Sequence, residues 1–251
     1  MRESRVYTNQ KLQQGASIFL DHLAITHLNK VLRLRTGATI RLFNGDGSEY
    51  RGQLTTISKQ RIQVQIHSKS STIEPDPVLS LHLMLGLSRS EHMDFALQKA
   101  VELGVTRVSP LLTKRSVIQL KGERLQRRHQ HWQQIIINAC EQSGRCRLPQ
   151  LDLLQPLNLA FNALDALDIA EDLRLVLYHL GTICLNQITS PPSSIVILIG
   201  PEGGLDPEEL DFAQQQRFLP LRLGPRILRT ETAPLVALAV IQALWGDFQA
   251  T

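Results

Sequence analysis

The sequence predicts an α/β protein: a domain built on a mainly parallel sheet, preceded by a small β-barrel domain. Residues 1–67 hold short runs that alternate apolar and polar side chains between tight-turn sequences, the signature of a small barrel. From Val78 onward, continuous apolar runs alternate with stretches of helical spacing, as expected for strands buried on both faces of a parallel sheet. Between them, His67–Pro77 is polar and ends in two prolines, which suits a linker. Domains of 1–72 and 73–251 follow.

In the first domain, Thr39–Phe43, Tyr50–Leu54 and Arg61–Ile66 have period two, with turns at Asn44–Gly47 and Ser58–Gln60. One helical insertion is expected at Asp21–Arg33, where Leu23, Leu28, Val31 and Leu32 form one face. In the second domain, Val78–Leu87 reads as a buried strand. Ser88 or Ser90 is placed to cap the next helix, which carries Met93, Leu97, Ala100 and Val101 and ends at Gly104. Val105–Leu112 is the next strand and Glu123–Cys140 a long basic helix. Residues 148–170 are less regular, with room for a short strand and a helix. Leu173–Leu180 and Ile195–Ile199 are further strands. Asp206 or Pro207 opens a helix to Arg217, and Leu219–Leu223 is the last strand. The segment from Pro234 to Trp245 is so apolar that a helix made of it has almost no wet face, and such a helix is buried all round.

Composition excludes several classes. With 43% hydrophobic and 20% charged residues in 251, the chain is globular rather than disordered. No apolar run approaches the roughly 18 residues of a membrane span. The opening MRESRVYTNQ lacks an apolar signal core, so export is not expected. Three cysteines do not make a disulfide framework and read as reduced thiols of a cytoplasmic protein. The net charge is only +4, but residues 1–77 carry 11 Lys/Arg against 6 Asp/Glu, 107–147 carry 9 against 2, and 148–251 carry 5 against 12. Two basic zones are the footprint of a polyanion binder; solvated surface charge is the plain alternative.

Ligands of open α/β sheets bind beyond the carboxyl ends of the strands. Two sequences there are unusual: Gly200-Pro-Glu-Gly-Gly204, and Leu223–Thr232, where a crowded polar loop leads directly into the apolar helix. The glycines allow close approach to a ligand or a simple tight turn. Neither sequence is a dinucleotide fingerprint or a phosphate loop, so NAD and ATP are not supported. His129 and His131 are two apart on a helix and cannot share a metal. Cys140 and Cys146 lack a second pair, and no nucleophile elbow is present. No metal is expected.

Six motifs in order carry a resemblance. Leu97–Gly104, Thr113–Val117, Ala139–Arg145, Ile199–Gly204, Leu223–Ala233 and Trp245-Gly-Asp247 together resemble the RsmE family, 16S ribosomal RNA methyltransferases of the SPOUT superfamily. Val31-Leu-Arg33 and Leu42–Tyr50 look like that family's PUA-like domain. Asn44, where an acidic residue is expected, and the opening Arg5-Val-Tyr7 depart from the pattern. The resemblance implies a C-terminal trefoil knot, a homodimer that with the knot covers the apolar helix, and methylation of N3 of a uridine with S-adenosylmethionine. Related enzymes acting on another RNA position or tRNA, and non-catalytic RNA-binding or small-ligand proteins, are the rival readings.

On that resemblance the cofactor residues are Leu180, Ile199, Gly200, Pro201, Glu202, Gly203, Leu223, Gly224, Ile227, Leu228, Arg229 and Thr230. Arginine stays protonated and cannot be a base, but it can stabilise charge developing on uracil oxygens, which selects Arg229 and Arg145. Glu231 is either a base or an ion-pair or capping residue, and Arg145 is either that stabilising group or an ordinary surface arginine. RNA contacts are expected from Arg5, Lys30, Arg33, Arg35, Arg89, Lys114, Arg115, Arg124, Arg127 and Arg128.

Overall fold

The computed structural model describes residues 3–21, 24, 25, 28, 34–58, 60–71, 74–116, 122–165 and 173–248. The chain divides into two compact units, one of Met1–Asp76 with Ile137–Leu148, the other of Pro77–Ile136 with Pro149–Thr251.

The first unit contains strands β1 (Ser4–Tyr7), β2 (Ser17–Phe19), β3 (Thr39–Phe43), β4 (Glu49–Ile57) and β5 (Ile62–Lys69), in the order β1-β3-β4-β5-β2. The period-two runs form strands because one face packs inward: Ile40, Leu42, Leu54, Ile62, Val64 and Ile66 are buried in one core. At the β3–β4 turn, Gly45 and Gly47 both take positive φ, and Asp46 Oδ1 accepts from the Ser48 amide at 2.8 Å. The sequence placed the end of β5 at Ile66 and the start of the linker at His67. Instead, β5 continues to Lys69, paired with Tyr50 of β4. Its last three side chains are exposed, so backbone pairing extends the strand without apolar residues. The helical insertion expected at 21–33, with Lys30 and Arg33, lies mostly outside the described residues.

The second unit holds β6 (Ser80–Gly86), β7 (Arg107–Leu112), β8 (Gln150–Leu151), β9 (Gln155–Pro156), β10 (Leu173–Leu177), β11 (Ser194–Ile199) and β12 (Leu219–Leu221). Their order is β12-β10-β11-β6-β7-β8, with β9 also on β7. Every pairing among the described residues is parallel, so the carboxyl ends of these strands share one edge. β6 and β11 are buried almost throughout, the reason their sequences show no alternation.

The helices are α1 (Ser90–Glu102), α2 (Gly122–Ser143), α3 (Leu157–Asp165), α4 (Pro207–Gln215) and α5 (Thr232–Trp245). The irregular 148–170 segment supplies β8, β9 and α3. Asp206 caps α4 as expected, with Glu209 completing a capping box. Neither Ser88 nor Ser90 caps α1: Arg89 is the N-cap residue and no side chain makes the bond. Ser88 is buried instead, its hydroxyl without a partner among the described residues. On α5, Ala233, Pro234, Ala237, Leu238 and Ile241 are buried. Burial all round is not found within the chain, because Val240 and Leu244 are 38% and 41% exposed and, four residues apart, share one face.

Candidate functional site

A cavity of about 890 Å³ opens at the carboxyl edge of the second unit's sheet. Leu177, Ile199 and Leu221, the last residues of β10, β11 and β12, form its floor. Three neighbouring parallel strands therefore deliver three loops to one place, as the sheet topology requires.

The structure brings together most of the residues singled out above. Ile199, Gly200, Pro201, Glu202, Gly203, Leu223, Gly224, Ile227, Leu228, Arg229 and Thr230 all line the cavity, and so does Glu231. Leu180 does not. β10 stops at Leu177 and turns, Gly181 N–H donating to Tyr178 O at 3.0 Å, which leaves Leu180 65% exposed. Leu177, Tyr178 and His179 line the cavity in its place.

The glycine-rich loop is pressed against its neighbours. A Cβ on Gly86, at the end of β6, would stand 2.6 Å from Pro201 N, and one on Gly200 would stand 2.8 Å from Leu205 N. Both contacts are with backbone, so neither glycine accepts a side chain without moving the loop. From the β7 side, Arg115 Nη1 donates to Gly203 O at 2.9 Å, and its Nη2 lies 3.7 Å from Asp206.

Glu202 ties the loop to α1. Its Oε1 accepts from the Arg89 amide at 2.8 Å and lies 3.1 Å from His92 Nδ1. Partial burial opposes its ionisation, but the Arg89 amide, its own amide and His92 outweigh burial and hold the carboxyl below the usual carboxylate range. Glu231 Oε2 approaches the same His92 nitrogen at 3.7 Å. Glu231 is the N-cap residue of α5, yet its side chain makes no capping bond. Its carboxylate faces the imidazole instead. His92 lines the cavity and escaped the sequence reading because it stands alone, among helix residues, about 110 and 139 positions from the carboxylates it meets.

Arg229 is exposed within the cavity. Its carbonyl accepts from the amides of Thr232 and Ala233, both at 2.9 Å, so the first turn of α5 fixes its backbone. Arg145 belongs to the first unit, where its side chain is 15% exposed and Nε stands 3.7 Å from Glu74 Oε1.

The expected RNA contacts divide into several kinds. Arg35, Arg89, Arg124 and Arg127 are exposed and Arg128 is half-buried, with Arg127 paired to Glu123 at 3.0 Å. Lys114 is exposed but pairs with Glu208 and lies 3.6 Å from Asp206. Arg115 holds Gly203, as described. Arg5 is not a surface contact at all. It is buried, and its guanidinium serves Glu49, the carbonyls of Cys140, Glu141 and Arg145, and the Cys146 sulfur. No phosphate reaches it without breaking those bonds.

A second polar cluster lies toward the opposite ends of β6 and β7. His82 Nε2 meets Ser109 Oγ at 2.7 Å, and Ser109 donates to Asp152, which also accepts from Arg107 Nε at 2.8 Å. The serine sits between histidine and carboxylate rather than beyond the histidine, so the histidine does not relay a serine proton to the acid. Burial, with Arg107 adding to it against Asp152, pushes the His82 pKa down to about 4. Unfolded histidine titrates near 6.5, so below that pH the unfolded chain binds a proton that the folded one refuses. Stability from this site is complete above pH 6.5 and is lost as pH falls toward 4, on the order of 3 kcal/mol in all. Denaturant titrations at pH 7 and 4.5 are expected to show this loss, with a smaller pH difference for His82→Gln; an equal difference would refute it.

Among the described residues no group of three or more metal-ligating side chains assembles, and no helix is long and apolar enough to cross a membrane. Cys140, Cys146 and Cys184 are all free thiols. Burial pushes the Cys140 thiol up to about 12, which leaves it unreactive.

Comparison with known proteins agrees over nearly the whole length. Residues 74–242 match the family described as RNA methyltransferase domain, and residues 24–66 match the one described as RNA methyltransferase PUA domain. The chain is 31% identical over 245 residues to ribosomal RNA small subunit methyltransferase E of Buchnera aphidicola subsp. Acyrthosiphon pisum, covering 98% of this chain and 95% of the relative. It is similar to the crystal structure of ribosomal RNA small subunit methyltransferase E from Neisseria gonorrhoeae bound to S-adenosyl methionine. That match has a TM-score of 0.89 and 36% identity, over 99% of this chain and 100% of that one. A putative methyltransferase from Legionella pneumophila, in complex with the bound cofactor SAM, matches with a TM-score of 0.91 and 35% identity over 99% and 100%.

Proposed function

The chain belongs to the RNA methyltransferase family, and from that premise we propose that it methylates N3 of one uridine in 16S ribosomal RNA of the small subunit, with S-adenosylmethionine as donor. The observation that carries this reading is the cavity at the ends of β10, β11 and β12.

The residues present fit the cofactor. About 890 Å³ lies in the usual range for small-molecule sites. At Gly200 and Gly203 the loop backbone is open to a ligand with no side chain to block it, while Leu223, Ile227 and Leu228 offer apolar walls. Ile227, 78% exposed, gains cover when a flat ring lies on it. When bound, the cofactor supplies an electrophilic methyl on a positively charged sulfur. The protein's task is then alignment, which by itself supplies several kcal/mol. Loss of the uracil N3 proton places negative charge on the flanking carbonyl oxygens, and the Arg229 guanidinium opposes it.

On α2 the exposed Arg124 and Arg127 and the half-buried Arg128, with Arg89 and, in the PUA-like domain, Arg35, hold RNA phosphates. Lys30 and Arg33 belong to the same basic zone in the sequence. Domain limits of 1–72 and 73–251 divide the PUA-like domain, with Arg35, from the domain that carries the cavity and the α2 arginines. The last helix closes a trefoil knot, and a second copy covers the stripe of Val240 and Leu244; their exposure in the single chain supports this homodimer. The working compartment is the cytoplasm.

The test is transfer of a labelled methyl group to small subunits from a strain lacking the gene. One uridine is expected to gain a methyl at N3. Label on another RNA or another atom would replace this assignment, and no cofactor binding at tens of micromolar by calorimetry would leave an RNA-binding protein without the activity.

A further inference from the structure

Methylation of a uracil N3 requires a group that removes a proton, and no arginine serves. Resting on the function proposed above, we propose that His92 is the proton acceptor, presenting Nε2 to the target base while Glu202 and Glu231 hold the ring from the other side.

Three features of the site support this assignment. His92 lines the cavity together with Arg229 and Thr230, so its ring shares the space in which a methyl group and a base would meet. Its Nδ1 lies 3.1 Å from Glu202 Oε1 and 3.7 Å from Glu231 Oε2. An ionised carboxylate only accepts hydrogen bonds, and Glu202 is held ionised by the Arg89 amide, among other contacts. The hydrogen between them therefore resides on Nδ1, and in the neutral ring the lone pair resides on Nε2. Nε2 makes no hydrogen bond among the described residues. A histidine oriented by a carboxylate at one nitrogen and bare at the other is the arrangement of a general base.

The step balances without a further reactant. The N3–H bond breaks and leaves its electron pair on nitrogen, while the proton passes to Nε2. The nitrogen pair forms the N–C bond as the C–S bond breaks, its pair going to sulfur. The imidazolium that results has both carboxylates at its Nδ1 side, and the charge that the base oxygens carry until the N–C bond forms faces Arg229. Glu231 thus serves as a partner of the base rather than as the base itself. Arg115, His179, Asp211 and Arg226 also line the cavity, and Arg89 and Glu91 flank His92 on its own helix, so a pH profile contains their contributions; the single substitution isolates His92.

Wild-type enzyme is first shown to place its methyl on N3; if it does not, the function assigned above fails, and this proposal with it, before any variant is made. His92→Gln keeps a donor for Glu202 but accepts no proton. A proton acceptor must begin unprotonated, so wild-type kcat is expected to rise with pH. His92→Gln is expected to lose that ascending limb and roughly a hundredfold or more in kcat, with cofactor affinity by calorimetry within threefold of wild type. His92→Ala should recover part of the loss with added imidazole. Independently of activity, nitrogen NMR of the His92 ring should show hydrogen on Nδ1 and a bare Nε2. Retention of the ascending limb in His92→Gln, a ring protonated on Nε2 when neutral, or loss of cofactor binding as the main defect would each overturn the proposal; the last would make His92 a clip for the glycine-rich loop.

Discussion

Arg229→Ala is expected to lower kcat by about two to three powers of ten, the usual cost of removing one donor that faces developing negative charge. The defect should be confined to turnover. Arg229 is exposed, and its guanidinium makes no hydrogen bond or ion pair among the described residues. Its structural contribution is made by the backbone carbonyl, which receives the Thr232 and Ala233 amides. Alanine keeps that carbonyl, so stability should change by no more than about 0.5 kcal/mol. Cofactor affinity should stay within a few-fold, because apolar walls and loop backbone provide the cradle. Single-turnover rates with labelled cofactor, calorimetry and a urea titration separate the three quantities. Unchanged turnover would remove Arg229 from the chemistry, and a large loss of cofactor affinity would make it a binding residue.

Arg5→Ala has the opposite profile, a large loss of stability. The Arg5 guanidinium donates at 2.7 Å to Glu49 Oε1 and at 2.7 Å to Cys140 O, and at 3.0 Å to Arg145 O. It also lies over the Phe43 ring at 4.8 Å. Cys140 and Glu141 are in the last turn of α2, where Cys140 O also accepts from the Gly144 amide at 3.1 Å. Arg5 donates to both and places a cation at the negative end of the helix. Truncation takes a charged donor from these carbonyls and removes one cation from Glu49, beside which Arg41 remains at 2.9 Å. The expected cost is about 3–5 kcal/mol, the range for breaking a buried charged pair. Arg5→Lys should recover only a fraction, since one ammonium cannot span a carboxylate and three carbonyls in the guanidinium's planar geometry. Urea denaturation of the full chain measures both; a loss below about 1 kcal/mol for Arg5→Ala would refute the role.

The same guanidinium shows where a linear reading fails. By sequence Arg5 is one more cation in a basic zone, indistinguishable from Arg35. What separates them is contact with residues 135–141 positions away, and no local spacing encodes such a contact. Lys114 and Arg115 fail similarly. Both count as basic, but the acidic first turn of α4, Asp206 to Glu209, meets them, and Arg115 becomes a strut under Gly203.

Leu180 is a smaller case. The apolar run suggested a strand through position 180, whereas β10 ends at Leu177, and three residues of turn are enough to aim a side chain away from a cavity. Elsewhere the periodic signals were sufficient. β3, β4, β6, β7 and β11, and helices α1, α2 and α4, fall within a few residues of where alternation, apolar runs and the Asp206 cap place them. The reason is that each buries a face, or both, and burial writes a period into the sequence.

The α/β class, the β-rich first part, and the two unusual loops, Gly200–Gly204 and Leu223–Thr232, are all legible in the linear chain. Side-chain period and the special needs of backbone near a ligand are local properties, and they survive in a one-dimensional record. Which charges are paired and which stand exposed, and that His92 meets Glu202 and Glu231, emerge from the folded chain alone. Those are properties of distance, set when parallel strands far apart in the chain are stacked side by side and deliver their loops to one edge.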